Sequence, residues 1–285
     1  MHPGPLYDAH NHLQDAWLTP QRDRVFADLT TLPLRRAVVN GTCEADWHDV
    51  TQLAKAHAFI LPSYGLHPWN LGNASPNWRP HLQQVLDAAP PHIGLGEIGL
   101  DRWMVKSARP DDSRLAGLRR APMEEQLPAF AWQLALAAER NLPATVHCLD
   151  AWGPLIDSLR TGPRPERGFL LHAYSGSKEM AREFAALGAY FSFNGYFLHE
   201  RQAARREVFA HLPADRLLVE TDAPAMPLPP DKVAYPLPGL ADGNPLNHPA
   251  NIGAVYQGLA TIREMEPAAL AHQVEQNFRR LFGAR

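Results

Sequence analysis

Leu6-Tyr7-Asp8-Ala9-His10-Asn11-His12-Leu13 is a short apolar run with a histidine pair two residues apart. In an extended chain alternate side chains share a face, so Asp8, His10 and His12 project to one side. Two imidazoles at that spacing can grip one metal ion, as a helix does with an i, i+4 pair. Taken alone, the pair fits equally well with polar residues on an exposed edge strand. The rest of the chain decides between the two readings.

Seven more apolar runs follow, separated by amphipathic ones. We read strands at Ala37 to Gly41, Phe59 to Gly65, Ile93 to Ile98, Ala144 to Cys148, Gly168 to Tyr174, Ala189 to Asn194 and Arg216 to Asp222. Helices are expected at Thr19 to Leu32, Ala45 to Ala58, Trp78 to Ala88, from Met123, at Ala151 to Arg160, Ser177 to Leu187 and Arg201 to Ala210. Two closing helices are expected at Asn251 to Arg263 and Pro267 to Phe282. In the fourth run the glycines suggest a close backbone approach or a bend. Between Leu100 and Pro122 the pattern lapses into a long charged loop with at most a turn of helix. Leu127, Phe130, Leu134 and Ala138 then form one stripe, most simply core packing. Pro224 to Pro249 is too rich in Pro and Gly for a regular element. Strand–helix alternation implies parallel strands. The count of eight, with no glycine-rich fingerprint after the first, favours an α/β fold of the (β/α)8 TIM barrel type over an open doubly wound sheet. One domain over residues 1–285 is expected.

On that scheme Glu97 ends the fourth strand, His147 the fifth and Asp222 the eighth, with His172 near the end of the sixth. C-terminal strand ends line one mouth of a barrel. Four histidines and two carboxylates converging there are hard to explain as packing, because buried charge is costly unless paired or bound to metal. Six ligands exceed the need of one tetrahedral zinc. A carboxylate has two oxygens and can bridge, so His10, His12, Glu97 and Asp222 are assigned to one divalent ion, and Glu97, His147 and His172 to a second. Imidazoles suit zinc, while the carboxylates leave manganese or magnesium open. Two such ions can activate one water. Asp222 is the candidate general base, or else a ligand only. His67, in Gly65-Leu66-His67-Pro68-Trp69, is read as a substrate contact, with a loop histidine held against Trp69 as the alternative.

Composition sets the outer limits. The chain has 285 residues, 45% hydrophobic and 20% charged, as a soluble globular protein has. A net charge of −3 gives no general attraction to polyanions. The two cysteines, Cys43 and Cys148, form no Cys-x-x-Cys pair. No signal peptide and no apolar run of the ~20 residues that span a bilayer is read, so no membrane partner and a cytoplasmic location are expected.

The motifs taken together resemble the TatD family of metal-dependent hydrolases, within the amidohydrolase-like barrels. The resemblance is carried by Asp8-Ala-His-Asn-His12, Gly65-Leu-His-Pro68, Gly96-Glu-Ile-Gly-Leu-Asp101, Gln126 to Leu142 leading to Pro143-Ala-Thr-Val-His147, Leu171-His-Ala-Tyr-Ser-Gly176, Tyr190-Phe-Ser-Phe-Asn-Gly195, Leu218-Val-Glu-Thr-Asp-Ala-Pro224 and Asn277-Phe-Arg-Arg-Leu-Phe282. It implies a two-metal phosphodiester hydrolase, DNA exonuclease activity being the usual assignment, with the metal roles at the positions above. Three departures stand out. Leu149 replaces the family's usual arginine, His248 in Asn247-His248-Pro249 replaces a glutamate, and Leu100 to Pro122 is longer than the usual connection. Loss of an arginine removes a bidentate phosphate partner. Arg102, Arg114, Arg119 and Arg120 of the long loop could replace it, or could simply form a solvated surface. The rival activities are hydrolysis of a cyclic amide, lactone or ester on the same metals, and a non-catalytic binding scaffold.

Overall fold

The computed structural model describes residues 4–240 and 243–283. Eight strands, β1 (Leu6–Asn11), β2 (Leu34–Asn40), β3 (Ile60–Tyr64), β4 (Gly94–Asp101), β5 (Ala144–Leu149), β6 (Phe169–Leu171), β7 (Ala189–Asn194) and β8 (Leu217–Glu220), run parallel in sequence order. Backbone bonds from Asp222 N–H to His10 O (2.9 Å) and from His12 N–H to Ala223 O (2.7 Å) bring the two ends of the sheet together. The expected barrel is therefore observed.

The strands are short because both of their faces are covered, and β1, β3, β4, β7 and β8 are buried throughout. Helices pack outside by the usual apolar spacing. Trp78, Leu82 and Leu86, four residues apart, are the buried face of Trp78–Ala88. The last helix, Pro267–Phe282, begins with proline and is closed by Gly283 at φ 65°. Met123–Glu139 differs from its reading as plain core packing. Phe130 and Leu134 are buried, but so are Gln126 and Gln133. Gln126 accepts from Asp101 N–H and donates to the Asp101 and Ala121 carbonyls. Gln133 brackets both backbone groups of Leu66. This helix therefore ties down the loops that leave β3 and β4.

The C-terminal ends of four strands depart from the sequence reading by two or three residues, each for a local reason. β4 runs on to Asp101, so Glu97 lies inside it. Between Leu95↔Ala144 and Ile98↔Val146 the strand carries one residue more than β5, which is a bulge at Gly96 and Glu97. A Cβ on Gly99, at φ 150°, would lie 2.0 Å from His147 O, so only glycine fits there. β6 stops at Leu171, and Ala173 turns away at φ 41°. β8 stops at Glu220, and Asp222 sits beyond it at φ 52°, a left-handed position that aspartate tolerates better than most residues. A second bulge lies in β1 between Asp8 and Asn11, and His12 is just past that strand's end.

Within the barrel, Asp8 clasps β1 to β8. Its Oδ1 accepts from Thr221 N–H (3.0 Å) and His10 N–H (3.2 Å), and its Oδ2 accepts from the Thr221 hydroxyl (2.6 Å). Burial pushes this carboxyl up to about 7, so it is partly protonated at neutral pH. An asparagine keeps both N–H bonds on Oδ1, and its Nδ2 can donate to the Thr221 hydroxyl oxygen in place of the bond that Oδ2 accepts. Asp8→Ala should therefore cost about 2–3 kcal/mol of unfolding free energy, whereas Asp8→Asn stays within about 1 kcal/mol of wild type. Urea denaturation of the three proteins checks this, and equal losses in both variants would remove the clasp from the account.

Candidate metal centre

The barrel mouth gathers all seven residues singled out above. His10 Nε2 and His12 Nε2 stand 3.1 Å apart. Glu97 Oε2 is 3.6 and 3.3 Å from them, and Asp222 Oδ1 is 3.3 and 3.5 Å from them. On the other side, Glu97 Oε1 is 2.9 Å from His172 Nε2, 3.2 Å from His147 Nδ1 and 3.3 Å from His67 Nε2. His147 Nδ1 and His172 Nε2 are 3.2 Å apart. The His10 and His172 rings stack at 4.0 Å, joining the two halves.

These separations test whether a metal fits. Four donors held ~2.1 Å from a tetrahedral zinc lie about 3.4 Å from one another. Two imidazole lone pairs at 3.1 Å repel unless a proton or a cation lies between them, so the geometry calls for positive charge at the centre. His12 Nδ1 faces the Asn40 carbonyl at 2.8 Å, which assigns its proton to Nδ1 and its lone pair to Nε2. His147 Nε2 faces Asp101 Oδ2 at 3.1 Å, leaving Nδ1 as the lone-pair nitrogen. His172 Nδ1 is buried with no hydrogen-bond partner among the described residues, and its nearest carboxylate is Glu220 Oε1 at 3.7 Å. His10 Nδ1 meets the Asn40 side-chain amide at 3.1 Å, and Asn40 Oδ1 is itself buried and unpartnered. Turning that amide over pairs Oδ1 with His10 Nδ1–H and frees Nε2. Three carboxylate and histidine groupings suited to an ion result: His10, His12 and Asp222; His10, Glu97 and His172; and His67, Glu97 and His147.

The electrostatics agree with that demand for charge. Burial alone would raise Glu97, but the surrounding His67, His172, His10 and His12 hold it well below the usual carboxylate range. Asp222 is lowered too: burial works against ionisation, and hydrogen bonding to His10 and His12 outweighs it. Burial disfavours the charged form of His12, His147 and His172, yet their carboxylate neighbours prevail. His12 and His172 are pushed well up, and His147 rises to about 9. His10, the most enclosed, is lowered by burial and by His172. His67 is lowered by burial.

His67 differs from the other histidines in its hydrogen bonding. Its Nδ1 accepts from Trp69 N–H at 3.2 Å, so in the neutral ring the proton lies on Nε2, and that N–H points into the mouth. Its alternative reading also holds in part, since the ring lies edge-on to Trp69 at 5.7 Å. Asp8, though on the strand of His10, belongs to the clasp and to none of the three groupings. His248 is buried away from the mouth, where its Nε2 meets Asp28 Oδ2 at 3.2 Å and its Nδ1 caps Ala250 N–H.

The sequence reading missed two residues. Asp101 accepts from Trp69 Nε1–H (2.6 Å), Met104 N–H (2.7 Å) and His147 Nε2 (3.1 Å). Glu220 accepts from the Ser192 hydroxyl and from Asn194 Nδ2 and faces His172. Asp101 fell where the apolar period ended. Glu220, like Asp101, lies inside a motif quoted above, and that was the available signal.

Among the described residues no helix is long and apolar enough to cross a membrane. A family model described as TatD related DNase matches residues 7–283. A protein of Escherichia coli K12 named 3′-5′ ssDNA/RNA exonuclease TatD is 28% identical over 98% of this chain and 99% of its own length. A Bacillus subtilis protein named an uncharacterized metal-dependent hydrolase is 27% identical over 97% of this chain and 98% of its own. Among solved structures, a TatD homologue of Escherichia coli K12 superposes with a TM-score of 0.82 at 27% identity, covering 98% of each chain. With its eight-stranded barrel and histidine–carboxylate mouth, the chain belongs to the TatD-related DNase family and is a metal-dependent hydrolase of that type.

Proposed function

We propose that the chain is a phosphodiesterase that removes nucleotides from the end of single-stranded DNA or RNA, using two divalent ions. The observation that carries this reading is Glu97, whose two oxygens face separate sets of histidine nitrogens. His10, His12, Glu97 and Asp222 would hold the first ion, and Glu97, His147 and His172 the second. Imidazole nitrogens equal the carboxylates in the first set and outnumber them in the second, which favours zinc or manganese over magnesium. When bound, two such ions lower the pKa of water and neutralise the charge of a phosphate in displacement.

The protein's own groups do the rest. Asp222 turns its carboxylate toward the first set and takes the proton of the attacking water. His67 donates from Nε2 to a phosphate oxygen. Asp101 holds His147 in the ring orientation its role requires, and the Glu220 carboxylate faces His172. Aromatic and basic residues flank the mouth: Trp69, Trp103 and Arg114 on one side, and Tyr196 and Arg201 on the loop leaving β7. Single strands bind to such linings through phosphate pairing and base stacking. A small carbonyl substrate calls for a closed apolar pocket instead. The relatives named as single-strand exonucleases support the same choice. Release of mononucleotides from an end-labelled single strand, in the presence of added zinc or manganese, tests the reading, and hydrolysis of small esters with no action on any strand would refute it.

Three variants separate the roles. Wild type should bind up to two ions and Glu97→Ala should lose more metal than His147→Ala or His172→Ala, because one carboxylate serves both sets. Elemental analysis finding one ion in wild type, retained in Glu97→Ala, would exclude the bridge. Asp101→Ala removes the acceptor for His147 Nε2–H and should weaken the second ion about 10–100-fold in a metal titration, with the first unchanged. Asp222→Asn should lower kcat by ~10²–10⁴ while keeping most of the metal. Metal content and rate are measured on one preparation. If the first ion is lost, the rate loss reports coordination, and a near-normal rate with both ions present makes Asp222 a ligand only.

A further inference from the structure

The long segment after β4 carries arginines whose surroundings differ sharply. Arg119 is exposed and forks onto Glu125. Arg120 is tied to the Ala108 and Arg109 carbonyls of its own loop. Arg109 is exposed and pairs with the equally exposed Asp111. Arg114 is different. Its guanidinium lies 4.8 Å from the centre of the Trp103 ring. Asp112 takes two of its five N–H donors, at 2.9 Å from Nε and 2.7 Å from Nη2. The side chain remains 48% exposed, so the remaining donors can meet a ligand.

A continuous series of contacts links this pair to the metal centre. Trp103 lies 6.2 Å from Trp69, ring to ring, at an interplanar angle of 30°. Trp69 donates to Asp101, and Asp101 accepts from His147, which faces Glu97. Leu149, half-exposed, is the register partner of Asp101 across β4 and β5. The indole and guanidinium are thus linked through Trp69 and Asp101 to His147, on the side of the mouth where the second set of ligands lies. Asp112 also caps the turn that carries Arg114, by accepting from Arg114 N–H, so the guanidinium is held in place before any ligand arrives.

We propose that Trp103 and Arg114 form a nucleotide subsite next to the scissile phosphate. The base of the adjoining nucleotide stacks on the Trp103–Arg114 platform, and its phosphate is met by the free guanidinium edge. Flat aromatic and guanidinium surfaces stack bases without regard to sequence, and arginine pairs with phosphate in a forked geometry. This proposal rests on the single-strand reading above and names the residues that deliver it. The ion pair with Asp112 leaves the platform close to neutral, so affinity at this subsite depends on stacking as well as on charge.

The test compares kcat/KM for a single-stranded oligonucleotide with kcat/KM for bis(4-nitrophenyl) phosphate, using metal-loaded enzyme. Arg114→Ala and Trp103→Ala should each lower the ratio of the two about tenfold, mainly through KM for the strand. Trp103→Phe should recover most of that loss, because a ring remains. Arg109→Ala, on the same loop, should leave the ratio at the wild-type value. On a strand with abasic sites, the Trp103→Ala loss should shrink while the Arg114→Ala loss persists. If wild type degrades the strand and both alanine variants keep the wild-type ratio, the subsite is wrong and the single-strand reading stands. If wild type hydrolyses the small diester but no strand, the single-strand reading fails and the subsite fails with it. Arg114→Ala alters only an exposed side chain, so its result holds even if Trp103→Ala disturbs packing against Trp69.

Discussion

Glu97 is a buried carboxylate with histidine nitrogens on both of its oxygens, and the architecture of the mouth follows from keeping it there. In an apolar barrel such a group would take up a proton. Here the imidazoles outweigh the cost of burial and hold it ionised. The backbone makes room for this by departing from a plain strand. β4 bulges at Gly96 and Glu97, and Gly99 lets β5 approach closer than any side chain would allow. The bulge aims Glu97 between the β1 histidines and the β5–β6 histidines, which a regular strand of the same register could not do.

The remaining hydrogen bonds of the histidines then separate their roles. An imidazole coordinates through one nitrogen, and the partner of the other nitrogen decides which one is available. A carbonyl accepts from His12 and a carboxylate from His147, so each turns a lone pair inward. His67 has a backbone N–H on its Nδ1 and turns an N–H inward. His12 and His147 thus offer the centre lone pairs and His67 offers it a proton, although all three are drawn to the same glutamate. That difference supports reading His67 as a substrate contact rather than a seventh ligand.

Much of this was legible in the sequence, because short apolar runs between amphipathic ones report buried parallel strands directly. Trp78–Ala88, Ala189–Asn194 and Pro267–Phe282 have the same limits in the structure as in the sequence reading. The legibility ended where the backbone stops being regular. Bulges in β1 and β4 and left-handed residues at Ala173 and Asp222 have no period, and they are what aim His10, Glu97, His172 and Asp222. Asp101 was placed in the long loop because the apolar pattern lapses there, while the strand is in fact continued by Gln126, a polar residue on a helix face that looked like core. The arginines of that loop are equivalent in the sequence, and only their partners distinguish Arg114 from Arg119 and Arg120. His248, which the sequence showed only as a departure from the family's pattern, fastens the closing segment to Asp28.

Closing the barrel and building the mouth are one operation in this chain. The bonds that join β8 to β1 run from Asp222 N–H to His10 O and from Thr221 to Asp8, so the seam consists of the proposed first-site residues and their immediate neighbours. A cation held by His10, His12 and Asp222 would span that seam a second time, from the side-chain end. Binding to the closed barrel but not to the unfolded chain adds to stability through linkage. The second set has no such position, because backbone ladders already join β4, β5 and β6. The two halves of the proposed centre would therefore have unequal structural consequences: the first coupled to closure of the fold, the second mainly to the chemistry above it.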